Sequence, residues 1–383
     1  VAYADAGTKK LVVMGDGVIG PKGVLTHADN ATAETHKLNL QVNGNLTIAG
    51  GGAINASDRG YDRDYGPGMG TGSCGGGHGG EGGYYSSGAR GAVYGSVTAP
   101  VSLGSGGSGG YGGPESGGGA IILSVGGATA LDGIIVANGQ ASQGYGGAGA
   151  GGSVFLTTSN LTGTGVLSAV GGMGTDGSGN NAGGGGGRIA VVLAFGSDFG
   201  GVSPRAYGGV TEGSGGERGA AGTIFLKRAA DAAGTLLVDN SNQVTVARTT
   251  LTNATYQFDW VITTNNGVLF LAANSALDFA AGCQLRSDST VSNIAARLVL
   301  SPGQLLLPAA YTLTNAAISQ SGAGPLCWTT ALTIASGGVL THEDNSTNEA
   351  HKLNLTLNGD LVVAPGGAIC VNDRGFDRFQ GPG

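Results

Sequence analysis

The stretch GGGAIILSVGGATALDGIIVANG, residues 117–139, carries the decision about the fold. Three glycines lead into the aliphatic run from Ala120 to Val125, a glycine break follows, and a second aliphatic phrase closes on Asn138 and Gly139. Short runs of Val, Ile and Leu bounded by glycine read as strands. The opening phrase returns as GGSVFL (151–156), GGGRIAV (185–191) and AAGTIFL (220–226). With Ala120, Ser153, Arg188 and Thr223 taken as equivalents, the steps are 33, 35 and 35 residues. The closing phrase returns as TGVLSAVGG (164–172) and AGTLLVDN (233–240). Each unit therefore reads strand, turn, strand and then a glycine-rich excursion, such as GQASQGYGGAGAGG (139–152). Residues 38–57 follow the same plan, with a longer loop from Asp58 to about Gly119.

Repetition at this length predicts an all-β chain, a parallel β-helix (β-solenoid) in which each coil bonds only to its neighbours. The glycine-rich loops are expected to stack at one corner, with polyglycine II packing one arrangement open to them and floppy loops the other. Tyr84, Tyr85, Tyr94, Tyr111, Tyr145 and Tyr207 inside these loops favour order, because they give each loop something to pack. An antiparallel sandwich competes, but its two-residue Asn-Gly hairpin signals are scarce.

Composition narrows the classes further. Glycine makes up 80 of 383 residues, which excludes a mainly helical chain. Ten prolines and no sustained Gly-X-Y period exclude collagen. Charged residues make up 11% and the net charge is -7 with no basic cluster, so neither nucleic acid nor an anionic membrane is an expected partner. The longest apolar run, Ile189 to Phe195, is too short for membrane insertion as a helix. The glycine run before Arg188 lacks the Gly-Lys-Ser/Thr ending of a phosphate loop. Cys74, Cys283, Cys327 and Cys370 show no metal spacing, and Cys283 with Cys327 is the expected pair if a disulfide forms.

A longer repeat frames the shorter one. Residues 23–68 and 338–383 are identical at 30 of 46 positions with a constant offset of 315. The expected organisation is residues 1–22 as the end of a preceding module or an entry strand, 23–240 as glycine-rich coils, 241–337 as shorter coils, and 338–383 as the start of a next module. Either a segment of a tandem array or a chain with equivalent ends in head-to-tail contacts would read this way.

Comparing the two copies picks out two clusters. The first, T-H-x-D-N-x-T-x-E-x-H-K, supplies His27, Asp29, Asn30, Glu34 and His36, then His342, Asp344, Asn345, Glu349 and His351. Histidines beside carboxylates can hold a divalent metal; a hydrogen-bonded corner ahead of the strand Leu-Asn-Leu is the plainer alternative. The second, D-R-G-[YF]-D-R, supplies Asp58, Arg59, Asp62 and Arg63, then Asp373, Arg374, Asp377 and Arg378. An ion-paired turn and a calcium site through Asp58 and Asp62 are both open, with the guanidinium groups competing for the same oxygens. No cofactor is expected beyond such a metal, and no carboxylate pair is singled out for glycoside cleavage. Seven Asn-x-Ser/Thr sequons, at Asn30, Asn45, Asn55, Asn160, Asn253, Asn345 and Asn354, suit a Ser/Thr/Asn-rich chain as readily as glycosylation.

Taken in order, THxDN, HKLNLxVxGxLxI, the tripeptide YGS (94–96), LGSGG (103–107), GGGAIIL, LDGIIVANG, GGSVFL, the glycine run ending RIAV and GAAGTIFL resemble the glycine-rich repeat modules of very large secreted or surface proteins of environmental bacteria. The resemblance covers about residues 23–240 and the repeated end, and it implies an extracellular or cell-surface, non-catalytic β-solenoid. The expected role is a structural module of a fibre or giant surface protein, with copies of itself as partner. Self-assembly is expected through Leu353, Leu355, Leu361, Val363, Ile369, Asp373, Arg374, Asp377 and Arg378. A glycan-binding adhesin using loop tyrosines is the alternative, and a polysaccharide-active enzyme a further one.

Overall fold

A computed structural model describes residues 1–5, 9–86, 88–109, 113–142, 144–175, 181–212, 215–252, 254–272, 276–279, 296–300, 303–305, 311–313, 316–320, 322–328 and 331–382. The described residues form strands, turns, bends and irregular stretches, with no helix among them. The chain divides into two compact units. The first comprises Val1–Asp231 with Val238–Thr249, and the second Ala232–Leu237 with Thr250–Gly383.

In the first unit the strands are β1 (Ala2–Tyr3), β2 (Leu11–Val13), β3 (Gly17–Ile19), β4 (Val24–His27), β5 (Leu38–Val42), β6 (Leu46–Ile48), β7 (Ala53–Asn55) and β8 (Ala120–Val125). They continue with β9 (Thr129–Leu131), β10 (Ile134–Val136), β11 (Ser153–Thr158), β12 (Leu161–Thr162), β13 (Val166–Ser168), β14 (Arg188–Leu193), β15 (Ser203–Arg205) and β16 (Thr223–Lys227). One sheet runs β1-β4-β7-β10-β13-β15, a second, of eight strands, begins β2-β5-β8-β11-β14-β16, and a third runs β3-β6-β9-β12. Pairings with a described register are parallel, for example Ser153 against Ala120 on one side and Arg188 on the other. From β1 to β14 the chain visits the three sheets in rotation, so a repeating unit there holds three strands and not the two read from sequence. The third strand escaped notice because it is as short as Thr129–Leu131 and carries one large aliphatic residue.

Alternation along each strand explains which side faces inward. In β5, Leu38, Leu40 and Val42 are buried while Asn39 and Gln41 are half-exposed. Parallel register then stacks like on like. Leu40 lies against Leu123, Leu123 against Leu156, Leu156 against Val191 and Val191 against Leu226. A second ladder runs from Leu38 through Ile121, Val154 and Ile189 to Ile224. Each such side chain removed from water is worth roughly 1.5–3 kcal/mol, so these ladders form the core.

The expected single parallel β-helix with glycine-rich loops stacked on one corner is corrected by this arrangement. Among the described residues the strands are distributed over seven sheets, of 6, 8, 4, 6, 2, 3 and 3 members, and the chain forms two units. The glycine-rich stretches are not loops layered on the strands, since 74–80, 103–108, 115–120, 146–154 and 181–191 are buried without a break. Nor do they bond only to sequence neighbours. Gly83 N–H donates to Gly183 O (2.8 Å), Gly185 to Gly76 O (2.8 Å), Gly76 to Ala148 O (2.9 Å) and Gly118 to Ala150 O (2.8 Å). The physical reason is that buried backbone must find partners, and only chains without Cβ atoms approach closely enough to supply them to one another. A Cβ on Gly107 would fall within contact distance of Gly147 O, and one on Gly209 within that of Gly172 O.

In the second unit one six-stranded sheet includes Val268–Leu271, Ala296–Leu300, Ala316–Gln320, Val339–His342 and Ala368–Ile369. Residue steps within it are 29 (Val268 to Arg297), 20 (Ala296 to Ala316), 22 (Ala317 to Val339) and 29 (Val339 to Ala368). Residues 338–383 group with the rest of this unit and do not stand alone. The expected Cys283–Cys327 pair lies outside the residues whose side chains are described, whereas Cys74 and Cys370 are free thiols.

Candidate functional site

The repeated segment occurs in two different settings. In the first copy, β5, β6 and β7 take strands on both sides, pairing with β2, β3 and β4 and then with β8, β9 and β10. In the second, Leu355–Leu357, Leu361–Val363 and Ala368–Ile369 pair on one side only, and each is the last strand of its sheet. Registers agree between copies. Leu11 pairs with Leu40 as Leu326 pairs with Leu355, and Gly17 with Leu46 as Leu332 with Leu361. The match at offset 315 therefore extends structurally before residue 23, where the two sequences have diverged.

Exposure separates the copies. Leu46 is 2% exposed and Leu361 45%, while Ile48 is fully buried and Val363 is 48% exposed. Ile54 is fully buried, whereas its equivalent Ile369 is 46% exposed. Leu353 and Leu355 are half-buried. Strands β8–β10 make the difference, since Ile121, Leu123, Leu131 and Ile135 close over the first copy.

The THxDN cluster forms a corner held by Asn30. Its side-chain oxygen accepts from Thr35 N and His36 N (both 2.8 Å), and its amide donates to His36 O (2.9 Å) and Arg59 O (2.7 Å). Asn345 repeats this with His351 N (2.7 Å), His351 O (2.9 Å) and Arg374 O (3.0 Å). His27 is buried, and burial lowers its pKa to about 4 against the opposing bond to Ala28 O. Its Nδ1 lies 2.7 Å from Ala28 O, and its Nε2 accepts from Ala120 N at the start of β8 (3.2 Å). That assignment makes Nδ1 the protonated nitrogen and leaves no lone pair for a metal. His342 makes the same contact through Nδ1, to Glu343 O (2.7 Å), and among the described residues no strand stands where Ala120 does.

Arg59 lies 3.7 Å from Asp29, Arg63 lies 3.3 Å from Glu115, and Asp62 accepts from Ser116 Oγ (2.7 Å). These D-R-G-[YF]-D-R contacts reach outward to other segments. Asp58 and Asp373 both take left-handed backbone, φ 58° and 56°. Burial raises the carboxyl groups of Asp29 and Asp58, with Arg59 opposing in each case. Among the described residues no three His, Cys, Asp or Glu side chains are grouped to hold a metal ion, so His27, Asp29, His36, Asp58 and Asp62 are neighbours without forming such a centre, and so are His342, Asp344 and His351. Asp377 accepts from Ser346 Oγ (2.9 Å), and Arg378 lies over the Phe379 ring.

Sequence reading passed over a buried group of His78, Tyr94 and Arg188. Arg188 donates to Tyr94 O (2.8 Å), Thr223 Oγ1 (2.9 Å) and His78 O (3.5 Å). Burial, then the Arg188 charge, lowers His78 to about 3, and burial raises the Tyr94 hydroxyl. The Tyr94 ring packs at a tilt of 42° against His78, centroids 4.7 Å apart, while Tyr84 lies under the Arg90 guanidinium and Tyr111 falls outside the described residues. An isolated Arg after five glycines was the available signal, since a lone charge in a buried glycine run must be received by backbone carbonyls. An apolar cavity of about 490 Å³ is lined by Leu11, Val13, Val18, Ile19, Leu40 and Val42. No described helix is long and apolar enough to cross a membrane.

No family model matches the chain, and no curated protein or solved structure matches it either.

Proposed function

We propose that this chain is a repeating structural module of an extracellular bacterial fibre or giant surface protein, joined head to tail to further modules. The observation that carries the reading is the segment repeated at offset 315, whose strands hold the same register twice but are covered only once. Exposed parallel strand edges beside aliphatic side chains are surfaces that proteins either blunt or pair. Here the edge side chains include Leu361, Val362 and Val363, with neither Pro nor Lys among them. A head-to-tail contact that does not close on itself generates a linear assembly.

The polar groups favour construction over catalysis. His27 and His78 are buried and neutral, and the Asn30 and Asn345 corners use their amides to tie down loops. Antibodies raised against this chain should label long structures outside the producing cells, read by immunogold electron microscopy. Labelling confined to the cell interior would overturn the reading.

A further inference from the structure

The same segment in its covered setting supplies a template for what is missing in its uncovered one. Over residues 38–55 lie three short parallel strands, Ala120–Val125, Thr129–Leu131 and Ile134–Val136. Their register is Leu38 to Ile121, Leu40 to Leu123, Ile48 to Leu131 and Ile54 to Ile135. They cover the inward side chains and donate the Ala120 N–H to His27 Nε2. In the second copy Leu353, Leu355, Leu361, Val363 and Ile369 stand at the equivalent places with no strand over them, and so does the His342 ring.

We propose that the face formed by Leu355–Leu357, Leu361–Val363 and Ala368–Ile369 receives a following module, which lays on it three parallel strands equivalent to residues 120–136 of this chain. In that state a backbone N–H meets His342 Nε2 as Ala120 meets His27, and aliphatic side chains close over Leu361, Val363 and Ile369. The occupant is aliphatic and strand-forming, entered from a glycine run. The amino-terminal edge of a second copy fits less well. It brings Lys9 and Lys10 directly before Leu11–Val13, where the covering strand carries Ile121 and Ile122 before Leu123. The inference rests on the module reading above but has a separate test, since location on the cell and docking on this face are measured independently.

Gly383 corresponds to Gly68, so appending a second copy of residues 69–249 after Gly383 recreates the continuation found in the first copy. Amide exchange over residues 355–371 should slow by about 100-fold or more in the extended chain relative to the original, as strands move from a frayed edge to an interior position. Leu361→Lys with Val363→Lys should abolish that gain, while exchange in residues 38–55 of the same molecules reports that the chain is folded. In the extended chain burial under the added strands should lower the His342 pKa further than in the original, followed by NMR. Unchanged exchange at 355–371 would overturn the proposal. So would protection that appears in the original chain simply on raising its concentration, because a second copy would then be the occupant.

Discussion

Leu46 and Leu361 are the same residue in two copies of one segment, 315 positions apart, and the first is 2% exposed while the second is 45% exposed. The leucine and its strand register are the same in both copies, so the difference in their burial is tertiary. Leu46→Ala should destabilise the first unit by about 2–5 kcal/mol, the range for truncating a buried leucine. Leu361→Ala should cost less than about 1 kcal/mol in the isolated chain. Denaturant unfolding of both variants, with exchange to locate the effect, checks the contrast.

Glycine in the buried stretches is required by close approach, and the requirement is local. Gly107→Ala and Gly209→Ala place a Cβ inside contact distance of backbone oxygen and should each cost about 3 kcal/mol or more, because a packed backbone cannot shift cheaply. At Gly50 nothing lies within 4 Å, so Gly50→Ala should be within about 0.5 kcal/mol of the parent. Thermal melts of the three variants would decide, and equal losses at all three would contradict the account.

Two buried histidines predict acid sensitivity. Both are neutral when folded, with pKa lowered by burial to about 4 for His27 and about 3 for His78. An unfolded histidine titrates near 6.5, so between that value and the folded pKa the unfolded chain binds more protons. Stability of the first unit should therefore be flat above about pH 7 and fall as pH drops from about 6.5 towards 4, by about 1.4 kcal/mol for each unit of pKa separation. The raised carboxyls of Asp29 and Asp58 act in the opposite direction at lower pH, in and above the ordinary carboxylate range. Denaturant midpoints from pH 8 to pH 4 test the slope, and a profile level down to pH 4 would refute it.

The asparagine corners predict a substitution that is small in size and large in effect. Asn30→Asp replaces a donor of two hydrogen bonds, to His36 O and Arg59 O, by a carboxylate facing those carbonyls. About 1–3 kcal/mol is expected for each buried group left unsatisfied. Asn345→Asp should loosen residues 345–382 and leave the first unit unchanged, as followed by amide exchange.

Arg188 holds three buried acceptors that a shorter cation cannot reach together. Arg188→Lys keeps the charge but loses the planar fork, so a loss of roughly 2–4 kcal/mol is expected. Wild-type stability in this variant would show that the carbonyls find other donors.

Strand positions and their equivalence were legible from residues alone. Ala120, Ser153, Arg188 and Thr223, aligned by their glycine-flanked phrases, do stand side by side in one sheet. Glycine-bounded aliphatic runs marked β8, β11, β14 and β16 as strands because that signal is local. The third strand of each unit and the burial of the glycine stretches were not legible. Glycine has no side chain to reveal its surroundings, and bonds such as Gly83 to Gly183 and Gly185 to Gly76 join residues about a hundred positions apart. Likewise the sequence by itself determined that one segment is written twice, together with its corner asparagines, its histidines and its leucine ladder. Only the tertiary structure decided that one copy is interior and the other an edge, because burial depends on whether strands such as β8–β10 lie above, and no residue within the segment encodes that.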